Sequence, residues 1–238
     1  MPRFFISPLT GTQATLTGED ARHISRSLRM HPGEALTLCD GMGHDYQGEI
    51  TEVTPDIVSV HILSAANNQT EPSVHVTLYQ GIPKSTKMDF IVQKAVELGV
   101  FRVVPTLTSR CVSRPDGKTS AKKVQRWQKI ACEAAKQSGR GILPEVAPCI
   151  SLQQAVCTAP GKCLLFYEGG GVSLTDAVNR VDSEISIFIG PEGGFSTEEV
   201  RLVQDAGGQA STLGPRILRT ETAPLAALTA VMLLTGNM

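Results

Sequence analysis

Two arginines, Arg216 and Arg219, flank the apolar pair Ile217-Leu218, and Thr220-Glu221-Thr222 follows at once. Leu213-Gly214-Pro215 stands before them, and an almost wholly apolar stretch comes after. Two buried-type side chains held between two guanidinium groups, beside a Gly-Pro turn, describe a pocket with an apolar wall and a charged mouth. A surface loop has no physical need for that order.

Two further segments share the character of this one. Tyr167-Glu168-Gly169-Gly170-Gly171 and Gly190-Pro191-Glu192-Gly193-Gly194 each close a strand-like apolar run, as Leu213-Gly214-Pro215 does. Glycine lets backbone approach a ligand closely or adopt positive φ. In α/β sheets ligands bind beyond the carboxyl ends of the strands, so three such loops point to one site. The chain has no GxxxxGK[ST] stretch and no GxGxxG after its first α/β strand, which argues against a nucleotide polyphosphate or a dinucleotide. Glu168 and Glu192 would repel a pyrophosphate but accept hydrogen bonds from ribose hydroxyls or an amino group. Their plainer alternative is as ordinary turn carboxylates. A nucleoside carrying a positive centre fits best, and S-adenosylmethionine is such a molecule.

A net charge of −1 conceals a strong internal polarity. Residues 1–70 hold 4 Lys/Arg against 8 Asp/Glu, residues 84–140 hold 13 against 4, and residues 141–238 hold 5 against 10. A basic block in a neutral chain has the form of a polyanion-binding face or, more plainly, of a lysine-rich solvated helix. Inside the acidic first part, Arg22, Arg26 and Arg29 recur at one-turn spacing on an expected helix between residues 19 and 31. With Arg3 and His23 they form a candidate phosphate grip. Arg110 and Arg114 lie in a basic loop further on.

These groups need elements to position them. At 238 residues the chain can bury one large core or two smaller ones. Ala35–Cys39, His44–Val53 and residues 57–63 read as strands of a small β-barrel, with Val58, Val60 and Ile62 on one side. Residues 65–72 are polar, non-periodic and closed by proline, which marks a linker and a boundary between residues 1–72 and 73–238. After it strands and helices alternate, as in a mainly parallel sheet covered by helices. Thr86-x-x-Asp89 and Ser196-x-x-Glu199 fit capping boxes. The long basic helix from residue 121 to 138 carries Val124, Trp127, Ala131, Ala134 and Ala135 as its apolar stripe. Residues 225–234 are apolar all round, as expected of a helix buried in a core or a dimer. Six cysteines without a CxxC pair read as reduced, mostly buried thiols in a cytoplasmic protein, with no metal site. No run spans a bilayer, and no secretory signal is expected.

Residues 190–196 together with residues 213–223 resemble the SPOUT methyltransferases. More closely they resemble the ribosomal RNA small subunit methyltransferase E family, and the likeness extends over nearly the whole chain. It includes the helix at residues 23–29, the Met30-His31-Pro32-Gly33 turn, Glu97-Leu98-Gly99 and Trp127-Gln128-Lys129-Ile130. The resemblance implies a PUA-like barrel at residues 1–72 and, at residues 73–238, a SPOUT-type α/β domain with a deep trefoil knot. It further implies a homodimer that methylates N3 of a uridine near the 3′ end of 16S rRNA with S-adenosylmethionine. On this reading Leu213, Gly214, Ile217 and Leu218 form the adenine side of the pocket. Gly190, Glu192 and Gly193 hold the ribose and methionine portion, with Glu168 nearby. Arg219 would stabilise the uracil anion, and Glu221 would accept the proton or orient Arg219; alternatively Glu221 is a helix-start carboxylate favoured by the dipole, with Arg216 and Arg219 as its partners. Arg3, Arg22, His23, Arg26, Arg29, Arg110 and Arg114 are the expected RNA contacts. A 2′-O-ribose methyltransferase of the same superfamily and a non-catalytic RNA-binding assembly factor are the competing expectations.

Overall fold

A computed structural model of the chain describes residues 1–9 and 11–238. The chain forms two compact units, Met1–Glu71 with Ala135–Leu143, and Pro72–Ala134 with Pro144–Met238.

The first unit contains strands β1 (Arg3–Phe5) and β2 (Gln13–Thr17), helix α1 (Gly18–Arg22), a π-helical segment (His23–Leu28), and strands β3 (Ala35–Cys39), β4 (His44–Val53) and β5 (Ile57–Asn67). The sheet order is β1-β3-β4-β5-β2, parallel between β1 and β3 and antiparallel elsewhere. Alternation dictates its core: Ala14 and Leu16 of β2, Ile50 of β4, and Val58 and Val60 of β5 point inward with Phe4, Leu36, Leu38 and Ile24. The expected linker at residues 65–72 is partly strand. Ala65, Ala66 and Asn67 pair with Tyr46, Asp45 and His44, because backbone ladders continue where no apolar face needs covering.

Between residues 19 and 31 the expected regular α-helix is corrected. After α1 the chain widens into the π-helical segment, in which the Ile24 carbonyl accepts the amides of both Arg29 and Met30. A wider turn breaks the four-residue register. Ile24 is buried, whereas Leu28, expected beside it, is 40% exposed. Arg29 then turns left-handed at φ 53°.

The second unit holds β6 (His75–Gly81), α2 (Lys87–Glu97), β7 (Arg102–Leu107) and α3 (Gly117–Ser138), which belongs to this unit up to Ala134. Then follow β8 (Glu145–Val146), β9 (Ile150–Ser151), α4 (Leu152–Thr158), β10 (Lys162–Phe166), β11 (Val172–Ser173) and α5 (Leu174–Ala177). The last elements are β12 (Glu184–Ile189), α6 (Thr197–Asp205), β13 (Gln209–Thr212) and α7 (Ala223–Leu234). The sheet runs β11-β13-β10-β12-β6-β7-β8, with β9 also on β7. Every pairing in it is parallel. Parallel strands covered on both faces are apolar without alternation, and Ile185 to Ile189 of β12 are all buried.

Ser196 caps α6 as its spacing predicts: its hydroxyl accepts the Glu199 amide at 3.2 Å, and Glu199 Oε2 accepts the Ser196 amide at 2.9 Å. The Thr86–Asp89 box does not form. Asp89 instead accepts Trp127 Nε1 at 3.1 Å and pairs with Arg126, so its carboxylate joins α2 to α3. A bond from a buried indole is worth more here than an exposed cap, since an unpaired buried N–H costs about 1–3 kcal/mol. Helix α7 buries Pro224, Ala227, Leu228, Val231 and Met232 against its own unit, while Leu233 remains 56% exposed. The six cysteines stand outside any disulfide; only Cys39 and Cys111 are buried, and burial pushes the Cys39 thiol up to about 11. No helix among the described residues is long and apolar enough to cross a membrane.

Candidate functional site

The carboxyl ends of β10, β12 and β13 deliver their loops to one place. Between them lies a cavity of about 360 Å³, lined by Tyr167 and Glu168, by residues 189–194 and by residues 212–220. Its volume suits a ligand of nucleoside size. Glu168, Gly190, Glu192, Gly193, Leu213, Gly214, Ile217, Leu218, Arg216 and Arg219 all belong to its lining, so the structure brings the expected pocket residues together. Ile217 is 83% exposed, an apolar side chain open at the mouth rather than core.

Glycine geometry explains how the walls come so close. Gly194 has φ 65°, and a Cβ there would stand 2.7 Å from Glu168 Oε1. The Glu168 carboxylate thus lies on the backbone of the neighbouring loop. Gly190 packs on Gly194, where a Cβ would meet backbone at 3.0 Å. Gly214, at φ 100°, turns the third loop. Gly81, at the end of β6, meets Pro191 so closely that a Cβ would stand 2.6 Å from its nitrogen.

Two residues overlooked in the sequence, Gln80 and Lys87, hold this arrangement together with Thr220. Gln80 is fully buried at the end of β6. Its Nε2 donates to the Gly81 carbonyl at 3.0 Å and to Thr220 Oγ1 at 3.1 Å. Thr220 Oγ1 in turn donates to the Gly190 carbonyl at 2.8 Å. Lys87, in the first turn of α2, also lines the cavity, and its Nζ lies 3.2 Å from Glu192 Oε1 and 3.1 Å from Glu221 Oε2. Pairing with Glu221 first and Glu192 next lifts the ammonium above its ordinary value. Burial works to raise the Glu221 carboxyl, but its own amide, Lys87 and Arg219 together hold it below the usual carboxylate range. Glu192 is lowered in the same way, with the Lys84 amide among its partners at 3.1 Å. No periodicity marks Gln80 or Lys87; only the strand-end position of Gln80 offered a signal.

The basic residues divide. Arg22, His23, Arg26 and Arg29 are exposed around the π-helical segment, and Arg22 makes a loose pair with Asp56 at 3.8 Å. Arg3 is committed instead to Asp45, in two bonds of 2.6 and 2.7 Å. Arg114 is turned back onto the carbonyls of Thr108, Ser109 and Cys111. Arg110 Nη1 donates to the Gly193 carbonyl at 2.7 Å, which ties it to the wall of the cavity.

Comparison with known proteins shows the family of the chain. A family model described as an RNA methyltransferase domain matches residues 70–232, and one described as an RNA methyltransferase PUA domain matches residues 16–63. The chain is 37% identical to ribosomal RNA small subunit methyltransferase E of Bacillus subtilis, over 97% of this chain and 96% of that one. It is 30% identical to the Mycobacterium tuberculosis protein of that name, over 97% and 90%. The crystal structure of the Neisseria gonorrhoeae ribosomal RNA small subunit methyltransferase E, bound to S-adenosyl methionine, matches with a TM-score of 0.89 at 35% identity, covering 98% of each chain. A Legionella pneumophila structure in complex with the bound cofactor SAM matches at 0.90 and 34%, over 97% and 96%. The chain belongs to the ribosomal RNA small subunit methyltransferase E family.

Proposed function

We propose that the protein transfers a methyl group from S-adenosylmethionine to N3 of a uridine near the 3′ end of 16S rRNA, in the small ribosomal subunit. It does so as a homodimer in the cytoplasm. The observation that carries the reading is the convergence of three glycine loops on one cavity with Arg219 among its walls. The donor set fits the cofactor. Glu168 suits ribose hydroxyls or a positive centre, and glycine-bearing loops supply the rest of the lining. On this reading Leu213, Gly214, Ile217 and Leu218 flank the adenine, and Gly190, Glu192 and Gly193 flank the ribose and methionine. The loops at residues 190–194 and 213–222 belong to a deep trefoil knot. Residues 1–72 form the PUA-like RNA-binding domain, and residues 73–238 form the methyltransferase domain.

S-adenosylmethionine supplies an already activated methyl group when bound. The residues must therefore align the uracil and favour loss of its N3 proton. Each unit of pKa lowering at N3 requires about 1.4 kcal/mol of preferential anion stabilisation. Arg219, donating to a uracil carbonyl oxygen away from bulk water, provides it. Glu221, whose carboxylate lies beside Lys87 and feels the charge of Arg219, orients Arg219 or accepts the N3 proton as it leaves. Arg22, His23, Arg26 and Arg29 grip RNA phosphates, while Arg110 and Arg114 border the target base from the loop before α3. The test is nucleoside mass spectrometry of small-subunit rRNA from a strain lacking the gene. Loss of N3-methyluridine is expected, and loss of a 2′-O-methyl nucleoside instead, or of none, would refute the assignment.

A further inference from the structure

The segment from the end of β6 to the first turn of α2 grips the loop after β12 at three points. Gly81 abuts Pro191, the Lys84 amide donates to both Glu192 oxygens at 3.1 and 3.3 Å, and Lys87 pairs with Glu192 at 3.2 Å. Two of those points need no lysine side chain. Glu221, by contrast, stands in the next loop, and Lys87 is the cation placed directly on its carboxylate at 3.1 Å. The groups facing this pair are Glu192 from the β12 loop and Arg219 from the same loop as Glu221.

We propose that Lys87 is a positioning residue for methyl transfer, its ammonium clamping Glu221 to Glu192 and so fixing the Arg219–Glu221 turn against the cofactor loop. The proposal rests on the reading of Arg219 and Glu221 given above. Because the loop at residues 190–194 is held independently by Gly81 and the Lys84 amide, loss of the ammonium leaves the cofactor wall standing. What it releases is Glu221, now facing the Glu192 carboxylate without an intervening cation. Like charges brought together in this way raise a carboxyl pKa. The function thus separates into cofactor binding, which depends on Lys87 only weakly through Glu192, and turnover, which depends on it strongly.

The experiment compares full-length Lys87→Met and Lys87→Arg with the wild type. Calorimetry with S-adenosylmethionine is expected to give affinities within about threefold for all three, while turnover on small subunits falls about 30-fold in Lys87→Met. Lys87→Arg, which keeps the charge, recovers most of it. Carbon-13 titration of the carboxyl groups, with Glu221 assigned by Glu221→Gln, should show Glu221 moved upward in Lys87→Met. Undiminished turnover in Lys87→Met, loss of cofactor affinity in proportion to turnover, failure of arginine to rescue, or an unmoved Glu221 titration would each overturn the proposal. If the wild type transfers no methyl group to small-subunit rRNA, the functional reading fails, and the calorimetry and titration still decide the clamp.

Discussion

Thr220 Oγ1 donates to the carbonyl of Gly190 at 2.8 Å while accepting from the buried Gln80 at 3.1 Å. One hydroxyl thereby joins the turn that carries Arg219 to the loop that carries Gly190, and both to the end of β6. Replacing it with valine keeps the shape and removes both bonds, leaving a buried amide donor and a buried carbonyl short of partners. Thr220→Val should lose about 1–3 kcal/mol of stability in urea unfolding. It should also weaken S-adenosylmethionine binding by calorimetry, whereas Thr220→Ser retains most of both. Equal behaviour of the two variants would deny the hydroxyl this role.

In the first unit, Arg140 is 4% exposed and closes on Glu71 at 2.7 Å, and the same carboxylate accepts the amides of Gly141 and Ile142 at 2.7 and 3.0 Å. Burial raises the Glu71 carboxyl, but Arg140 and the two amides outweigh it and hold it below the ordinary range. A folded-state value lower than the unfolded one adds stability that is complete above about pH 4.3 and disappears as the pH falls through the folded value. Chemical unfolding between pH 7 and pH 3 should show that decline. Arg140→Met leaves a buried, half-satisfied carboxylate, and should cost about 3–5 kcal/mol at pH 7.

Charge alone places Arg3 and Arg26 together as expected RNA-binding residues, yet they differ in environment. Arg3 is bound twice by Asp45 and is 14% exposed, while Arg26 is open to solvent. Arg26→Ala should therefore reduce the slope of log affinity against log salt by about 0.7–0.9 for each phosphate it no longer neutralises, with little change in melting temperature. Arg3→Ala should do the reverse, lowering stability by about 2 kcal/mol with a smaller change in salt slope. Filter binding across a salt series, beside thermal unfolding, separates the two.

Residues that act through their local pattern were legible in the sequence. The Ser196–Glu199 cap, strands β3, β4 and β12, and the stripe of Trp127, Ala131 and Ala135 depend on spacing alone, and spacing is visible in a string. The three glycine loops were legible because each follows a strand end, where parallel sheets place ligands. Elements decided by distant partners were hidden. Asp89 left its cap for Trp127, a choice that depends on where α3 lies. Gln80 and Lys87 gain their meaning from Thr220, Glu192 and Glu221, which stand in other loops. The π-helical segment escaped notice because an apolar residue four positions from another reads as α-helix whichever turn the backbone adopts.

The pairing of β6 with β12 has a consequence for synthesis. Gln80 and Gly190 are 110 residues apart in the chain, yet β6, which bears Gln80, lies beside β12, which ends just before Gly190, at the centre of the sheet. A ribosome delivers β6 long before its neighbour exists. Until β12 emerges, Val76 and Leu78 stand on a strand with one open edge, a template for pairing with another nascent chain. For this molecule the hazardous interval is set by translation, and slowing elongation between residues 81 and 184 should lengthen the time during which the strand needs a chaperone.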